Sequence, residues 1–248
     1  MIKIGVADYG LSCWYGATYD YQDRFDLLKA AGYDGIERLE VSSAGDAVNI
    51  VADAKRNGLD FATCRGAKAM ETLRWTAGLG MKYVWTDPVP LNQPFDDFCR
   101  KVNAQIEVSE KYGIEVGIHN HLGLLVETEE QLDEFMEKCP KCKLIFDTGH
   151  MAGAYGDPLR VLDKYYDKLV AVHLKDYVIK DAEAKIWHQR LRFCELGGGV
   201  MGDLNLDILK EIIKRGYDKW IFVEHDTHLQ DPLIDLKISR EFIRRAGI

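Results

Sequence analysis

The sequence predicts an α/β fold, a single (β/α)8 TIM barrel that spans residues 1–248 as one domain. Apolar runs with β character alternate eight times with segments whose apolar residues recur at helical spacing. Eight units in 248 residues average 31 residues each (248/8), the size of a minimal strand-helix repeat. No G-x-G-x-x-G follows the first strand, which disfavours a dinucleotide-binding open sheet.

Each element follows from local pattern. The first six units pair a strand with a helix at residues 2–7 and 21–31, 35–41 and 44–57, 59–64 and 67–79, 81–86 and 95–112, 114–118 and 129–138, and 143–146 and 158–166. Glycines at 32, 58, 80, 113 and 216 mark predicted helix ends. The seventh strand, 169–174, is far from its helix at 204–214, and residues 220–223 with 231–245 complete the eighth unit.

A long excursion at residues 176–203 interrupts the regular repeat. It contains Trp187, His188 and a glycine run at 197–199. Two interpretations have equal weight, namely a lid or rim loop over the site and an oligomer contact. The glycine run offers only weak support for phosphate binding, because it lacks the Lys-Ser/Thr pattern of a P-loop.

The charge and hydrophobicity of the sequence limit the binding partners and the cellular compartment that we expect. The formal net charge of −8 disfavours nucleic acid and an anionic membrane surface. No apolar run approaches the roughly 18 residues of a membrane span, and the first residues are typical of a strand rather than a secretory signal. We expect a cytoplasmic protein that acts on a small molecule, and a homo-oligomer, dimer or tetramer, is an open expectation.

The six cysteines do not form the framework of a small disulfide-bonded domain. Only Cys139 and Cys142 have the C-x-x-C spacing of half a zinc site or a redox pair. Because they fall in a connection between a helix and a strand, we predict a structural role for them.

Polar side chains collect where the predicted strands end, which is the active-site face of such barrels. Asp147, His173 and Glu224 follow three successive strands, and this carboxylate and imidazole set suits Mn²⁺, Co²⁺, Mg²⁺ or Zn²⁺. A fourth ligand is expected from the fifth unit, where His119 and Glu127 are both candidates. Other strand-end residues in the same position include Asp8, Glu37, Glu40, Cys64, Arg65, Thr86 and Asp87.

Several motifs together resemble a known family. These are GIHNHLGLLVET at 117–128, FDTGH at 146–150 with GDP at 156–158, VHLKD at 172–176 and FVEHD at 222–226. Their order and spacing resemble the xylose isomerase-like TIM-barrel superfamily, and within it the sugar phosphate isomerase/epimerase and inosose dehydratase-like branch. GYDGIE at 32–37 is similar to the second strand of that family.

The resemblance implies one divalent metal ion, with Mn²⁺ favoured over Co²⁺, Mg²⁺ and Zn²⁺. It implies Glu127, Asp147, His173 and Glu224 as metal ligands. Ketose epimerases have a glutamate on the fifth strand where this chain has His119, so His119 becomes a candidate base. The expected catalytic residues are His119, Glu127 and Glu224, and the expected substrate-binding residues are His121, His150, Lys175, His225, Trp14 and Trp187.

These residues predict proton transfer next to a carbonyl, with the metal stabilising an enediolate. The first expectation is an isomerase or epimerase of a sugar or keto-sugar. The alternative is a dehydratase or lyase that acts on a ketocyclitol (inosose) or a 3-keto-glycoside, which His119 favours. Phosphodiester cleavage and a catalytically silent sugar-binding protein are two further hypotheses, and the acidic charge disfavours the former.

Overall fold

The computed structural model, which describes residues 1–16 and 20–248, has an eight-stranded sheet with helices between its strands. This confirms the predicted fold class. The strands are β1 (Lys3–Ala7), β2 (Gly35–Glu40), β3 (Asp60–Arg65), β4 (Tyr83–Trp85), β5 (Glu115–His119), β6 (Lys143–Asp147), β7 (Leu169–Leu174), β8 (Asp176–Ile179), β9 (Leu191–Cys194) and β10 (Trp220–Glu224). The order in the large sheet is β3-β2-β1-β10-β7-β6-β5-β4, and β8 and β9 form a separate pair.

The helices agree closely with the predicted units. They are α1 (Tyr9–Tyr15), α2 (Tyr21–Ala31), α3 (Ala44–Arg56), α4 (Ala69–Gly78), α5 (Phe95–Glu110), α6 (Glu129–Lys138), α7 (Thr148–Gly153), α8 (Pro158–Tyr165), α9 (Trp187–Arg190), α10 (Leu204–Lys214) and α11 (Pro232–Arg244). A single 3-10 turn, Tyr166–Lys168, leads from α8 into β7. In the described part of the chain, no helix combines the length and apolar character that crossing a membrane requires.

Contacts divide the chain into two compact units, so the assignment of residues 1–248 to one domain stays a prediction. The first unit comprises Met1–Arg38, Val48–Phe61 and His173–Ile248, and the second comprises Leu39–Ala47 and Ala62–Val172.

In the first unit, β1 is the central strand. It pairs in parallel with β2 and with β10, and the register places Ala7 opposite Glu224. Helices α2 and α11 pack together, and the Tyr33 hydroxyl donates a 2.9 Å hydrogen bond to the Leu236 carbonyl. The pairing with β1 therefore holds the end of β10, where Glu224 lies, in a fixed position.

In the second unit, β5 pairs in parallel with β4 and β6. The register places Trp85 opposite Gly117 and His119 opposite Ile145. Helix α6 begins with a capping box, in which Thr128 and Gln131 satisfy each other's backbone N–H groups. The strand ends that carry His119 and Asp147 are therefore set by a regular parallel ladder.

Three elements go beyond the sequence prediction. Helices α1 and α7 follow β1 and β6 directly, and the sequence pattern predicted no helix in either segment. The Asp147 side chain caps α7 by accepting a 2.7 Å hydrogen bond from the His150 backbone N–H. The excursion at 176–203 contains an antiparallel hairpin, with Asp176 opposite Cys194. Neither the lid nor the oligomer-contact interpretation is tested by this hairpin.

Candidate metal centre

His173, the last residue but one of β7, is enclosed by carboxylates in the first unit. Its Nδ1 lies 2.7 Å from Glu224 Oε2, and its Nε2 lies 3.1 Å from Glu37 Oε2. All three residues are buried. Burial alone would lower the pKa of His173, but the two carboxylates outweigh it and raise the pKa to about 10. The metal-free imidazole is thus held as a cation between two anions.

Lys175 is fully buried two residues beyond His173. Its Nζ lies 3.2 Å from both Glu224 Oε2 and Asp226 Oδ1, and 4.5 Å from the centre of the Phe193 ring. The Asn205 side chain donates a hydrogen bond to the Lys175 carbonyl and so fixes the backbone. The predicted substrate-binding lysine therefore faces two carboxylates of its own unit, and its contact with substrate stays a prediction.

His225 lies next to Glu224 and is buried. Burial, with help from the neighbouring His228, lowers the pKa of His225 to about 3, so this imidazole is neutral. His228 in turn has its Nδ1 at 2.8 Å from Asp235 Oδ2. This chain of neighbouring groups holds the loop after β10 in place.

In the second unit, Asp147 is fixed from three sides. Asn120 donates from Nδ2 to the Asp147 carbonyl and accepts the Asp147 N–H at Oδ1, both at 2.9 Å. The carboxylate accepts the His150 N–H through Oδ1, and its Oδ2 lies 3.5 Å from His119 Nε2. The ring of His119 lies 4.7 Å from that of Trp85. The local hydrogen bonds thus fix Asp147 with its Oδ2 atom facing Nε2 of His119.

His121 and His150 lie together in the same unit. Their ring centres are 3.8 Å apart, and His121 Nδ1 is 2.6 Å from the Leu122 carbonyl oxygen. His150 is fully buried, whereas His121 is partly exposed.

Each unit contains one buried pair of candidate metal ligands, His119 with Asp147 in the second unit and His173 with Glu224 in the first. Each residue offers one ligand atom, and the two atoms of each pair lie within 4.8 Å of each other. Ligands at the usual ~2.1 Å from a tetrahedral metal lie roughly 3.4 Å apart, close to the 3.5 Å between His119 and Asp147. Two imidazoles and two carboxylates suit a divalent ion. His121 and His150, both in the second unit, offer a further pair of ligand atoms within 4.8 Å of each other.

Five predicted site residues are not among these pairs in the part of the chain that the structure describes, namely Lys175 and His225, whose contacts are given above, and Glu127, Trp14 and Trp187. Glu127 precedes α6, and its backbone N–H donates to Gln131 Oε1 at 3.0 Å. Trp14 is about half exposed, and its ring lies 6.4 Å from that of His228. Trp187 lies in α9 with its ring 5.9 Å from that of Phe193. The assignment of Glu127 as the fourth metal ligand stays a prediction, and the structure places His119 beside Asp147.

Sequence reasoning gave no role to two residues that the structure places beside the site. Glu37 was noted only as a strand-end residue and as part of GYDGIE, yet it lies 3.1 Å from His173. Asn120 stands between two conspicuous histidines, and it is the residue that positions Asp147. The available signal for Glu37 was its place in the GYDGIE motif, directly after the apolar residue Ile36.

The glycine run has no free donors at two of its positions. The backbone N–H groups of Gly197 and Gly199 donate to Asp176 Oδ2 at 3.0 and 3.2 Å. The weak phosphate-binding interpretation therefore loses its main donors.

Cys139 and Cys142 are both buried free thiols. Burial raises the pKa of Cys142 to about 12. Such thiols are unreactive, which fits the predicted structural role of the C-x-x-C.

Comparison with known proteins gives the family. The family model described as xylose isomerase-like TIM barrel matches residues 67–246. An inosose dehydratase of Lactiplantibacillus plantarum is 32% identical over 169 residues, 64% of this chain and 56% of that protein. One of Bacillus licheniformis is 33% identical over 149 residues, 56% of this chain and 50% of that protein. The chain therefore spans about half the length of the curated relatives it matches.

Solved structures support the same fold. The probable 3-DHS dehydratase AsbF of Bacillus anthracis has a TM-score of 0.73 at 13% identity, covering 96% of this chain and 97% of its own. The 3-keto-D-glucoside 4-epimerase YcjR of E. coli has a TM-score of 0.71 at 17% identity, covering 99% and 100%. The IOLI protein with a zinc atom has a TM-score of 0.62 at 17% identity, covering 99% and 95%. This chain belongs to the xylose isomerase-like TIM barrel family.

Proposed function

We propose that this chain is an enzyme that requires one divalent metal ion, with Mn²⁺ favoured, and acts on a keto-sugar or ketocyclitol. The reaction begins with removal of a proton from the carbon next to the carbonyl. The observation that carries the proposal is a buried imidazole beside a buried carboxylate in each unit, His119 with Asp147 at 3.5 Å and His173 with Glu224 at 2.7 Å.

We assign His119 as the fourth ligand in place of Glu127. The 3.5 Å spacing of His119 Nε2 and Asp147 Oδ2 supports this choice, because it suits two ligands of one ion better than a hydrogen bond. Two neutral imidazoles and two carboxylates would also balance the charge of a divalent ion. A catalytic role for Glu127 stays a prediction.

A divalent ion bound there supplies electrophilic polarisation of the substrate carbonyl, which makes the neighbouring C–H more acidic. In this assignment, Glu224 accepts the proton from that carbon. Lys175, 3.2 Å from Glu224 Oε2, stabilises the negative charge that develops beside it. Burial of both side chains keeps water away and strengthens these charge interactions.

Dehydration is the outcome that the sequence relatives favour, since they are named inosose dehydratases. The C–H bond breaks first and its proton goes to Glu224. The C–O bond on the next carbon then breaks, the electron pair from the C–H bond forms a C=C bond, and the departing hydroxyl takes the proton held by Glu224 to leave as water. The second candidate is epimerisation or isomerisation, in which the proton returns to carbon, and the epimerase fold neighbour keeps it open.

An assay in D₂O separates the outcomes. The metal-loaded protein is incubated with an inosose and with a 3-keto-glucoside, and the products are followed by mass spectrometry and NMR. Loss of one water supports the dehydratase, whereas deuterium incorporation at unchanged composition supports the epimerase. Glu211→Gln, at a partly exposed position of α10, is a matched control that we expect to keep full turnover. Absence of both exchange and product with every keto-substrate would overturn the proposal.

A further inference from the structure

We infer that Glu37 is a positioning residue that sets the tautomer of His173 for metal binding. The inference rests on the proposed metal-dependent function and names a second carboxylate that acts on the same site. Glu37 would hold a proton on Nε2 of His173, leaving Nδ1 as the metal ligand.

The imidazole of His173 meets two different carboxylates at its two nitrogens. Glu224 Oε2 lies 2.7 Å from Nδ1, and Glu37 Oε2 lies 3.1 Å from Nε2. The lone-pair directions of the two ring nitrogens diverge, so the two carboxylates lie at different edges of the ring. A neutral imidazole carries a single N–H, and the partner of that N–H decides which nitrogen remains a ligand.

The grouping of ligand atoms decides which edge faces the metal. Glu224 is a candidate metal ligand together with His173, whereas Glu37 is outside the candidate ligands among the described residues. The Glu224 edge is therefore the metal edge, and the Glu37 edge is the outer one. A histidine ligand whose other N–H points to a carboxylate is a recurrent arrangement in metal sites, because it fixes the ring and raises its basicity.

Glu37 is well placed to exert this control. It is 1% exposed and lies in the middle of β2, where the register pairs the preceding Ile36 with Val6. A carboxylate on a paired strand cannot follow small movements of a loop. In a buried environment its charge acts on the ring more strongly than it would in water.

The test compares Glu37→Gln and Glu37→Leu with Glu40→Gln, a control three residues along the same strand whose side chain is exposed. Zn²⁺ affinity is measured by competition with a chromophoric chelator. We expect Glu37→Leu to bind Zn²⁺ roughly 10- to 100-fold more weakly. Glu37→Gln, whose amide oxygen still accepts the N–H, should fall between Leu and wild type, and Glu40→Gln should match wild type.

Nitrogen-15 NMR of the histidine side chains in the Zn²⁺-loaded protein gives a readout independent of affinity and turnover. We expect a protonated Nε2 and a metal-shifted Nδ1 for His173 in wild type and in Glu37→Gln. Thermal unfolding of the metal-free variants checks that each is folded, and Glu37→Gln, which preserves shape, serves if Glu37→Leu does not fold.

The outcomes separate the two claims. The role of Glu37 is overturned if wild type binds Zn²⁺ with Nδ1 of His173 protonated. It is also overturned if the variants at Glu37 bind Zn²⁺ with unchanged affinity. Neither result contradicts the proposed metal site. Wild type that takes up no Zn²⁺, Mn²⁺, Co²⁺ or Mg²⁺ overturns the proposed function and this inference with it.

Discussion

Asp176 and Glu224 are both buried carboxylates beside the strand ends of the first unit, but their partners differ. The carboxylate of Asp176 accepts four backbone N–H groups, from Tyr177, Gly197, Gly199 and Met201, at 2.8 to 3.2 Å. Glu224 instead faces the side chains of His173 and Lys175. One acid is satisfied by the backbone, and the other is surrounded by groups that can change their protonation or ligands.

The difference separates structure from chemistry within a few residues of sequence. Backbone donors are fixed in number and place, so a carboxylate that they saturate has no capacity left for a substrate or an ion. Asp176 therefore anchors the loop after β9. Imidazole and ammonium partners can exchange a proton or yield to a metal, so Glu224 keeps its capacity for chemistry.

Glu224→Gln should produce the largest effect. We expect loss of metal binding and a fall in turnover of about 10³-fold, because a neutral amide is a poor ligand and accepts no proton. The unfolding midpoint of the metal-free protein should change little, since Gln keeps the shape of Glu. Metal analysis, steady-state kinetics and thermal unfolding are measured together, with Glu211→Gln as control.

A Glu224→Gln protein that binds the ion and turns over like wild type would contradict the distinction between Glu224 and Asp176. It would place Glu224 with Asp176 as a structural acid.

Asp176→Ala should show the converse pattern. Removing the carboxylate leaves up to four buried N–H groups without an acceptor, so the free energy of unfolding should fall by about 3 kcal/mol or more. Metal affinity should stay within a fewfold of wild type. Urea unfolding measures the first quantity and chelator competition the second, with Asp176→Asn, which keeps one carbonyl oxygen, expected to lose less stability.

Loss of metal binding in Asp176→Ala without loss of stability would contradict the anchoring role. The same result would indicate that metal binding depends on the loop after β9.

The repeat of strands and helices was predictable because it depends on local patterns. Helix α2 and helix α6 match their predicted bounds at 21–31 and 129–138. Their apolar spacing, caps and glycine stops all act within a few residues of chain. The hairpin of β8 and β9 was missed because its pairing depends on the Asp176 anchor, a contact across more than 20 residues that no local pattern signals.

Candidate ligands could be proposed from the sequence where a polar residue lies at or directly after a strand end, as at Asp147, His173 and Glu224. The sequence left His119 and Glu127 open as the fourth ligand, because only three-dimensional distance separates a strand residue from a loop residue eight positions later. Glu37 had no predicted role for the same reason, since its partner His173 is more than a hundred residues away. Long-range pairing of buried charges is what the sequence could not specify.

Metal addition should raise the free energy of unfolding of the wild-type protein. An ion at 100 times its Kd that binds only the folded state adds about 2.7 kcal/mol. For a chain of 248 residues this raises the unfolding temperature by roughly 5 to 10 °C. Differential scanning fluorimetry with and without EDTA measures the shift. Asp176→Asn should keep the full shift from its lower starting temperature, and Glu224→Gln should show none, whereas equal shifts in both variants would remove the distinction.

The smallest effect concerns thiol reactivity. Cys13 is the exposed cysteine among the six, all of which the structure describes, and Cys194 lies buried opposite Asp176 at the end of β9. Burial raises the pKa of Cys194 to about 12, so its thiol is protonated and protected near neutral pH. With an aromatic disulfide reagent, we expect one thiol to react rapidly in native wild type and all six after unfolding.

Loosening the Asp176 anchor should open the hairpin locally before the whole chain unfolds, because the backbone donors it held become available to water. Asp176→Asn should therefore expose Cys194 as a second reactive thiol under native conditions, whereas Glu224→Gln should leave the pattern of wild type. Peptide mapping of the labelled protein identifies the cysteine. If Glu224→Gln exposes Cys194 to the same extent, the two acids support one common structure, and the distinction between an anchoring carboxylate and a reactive one fails.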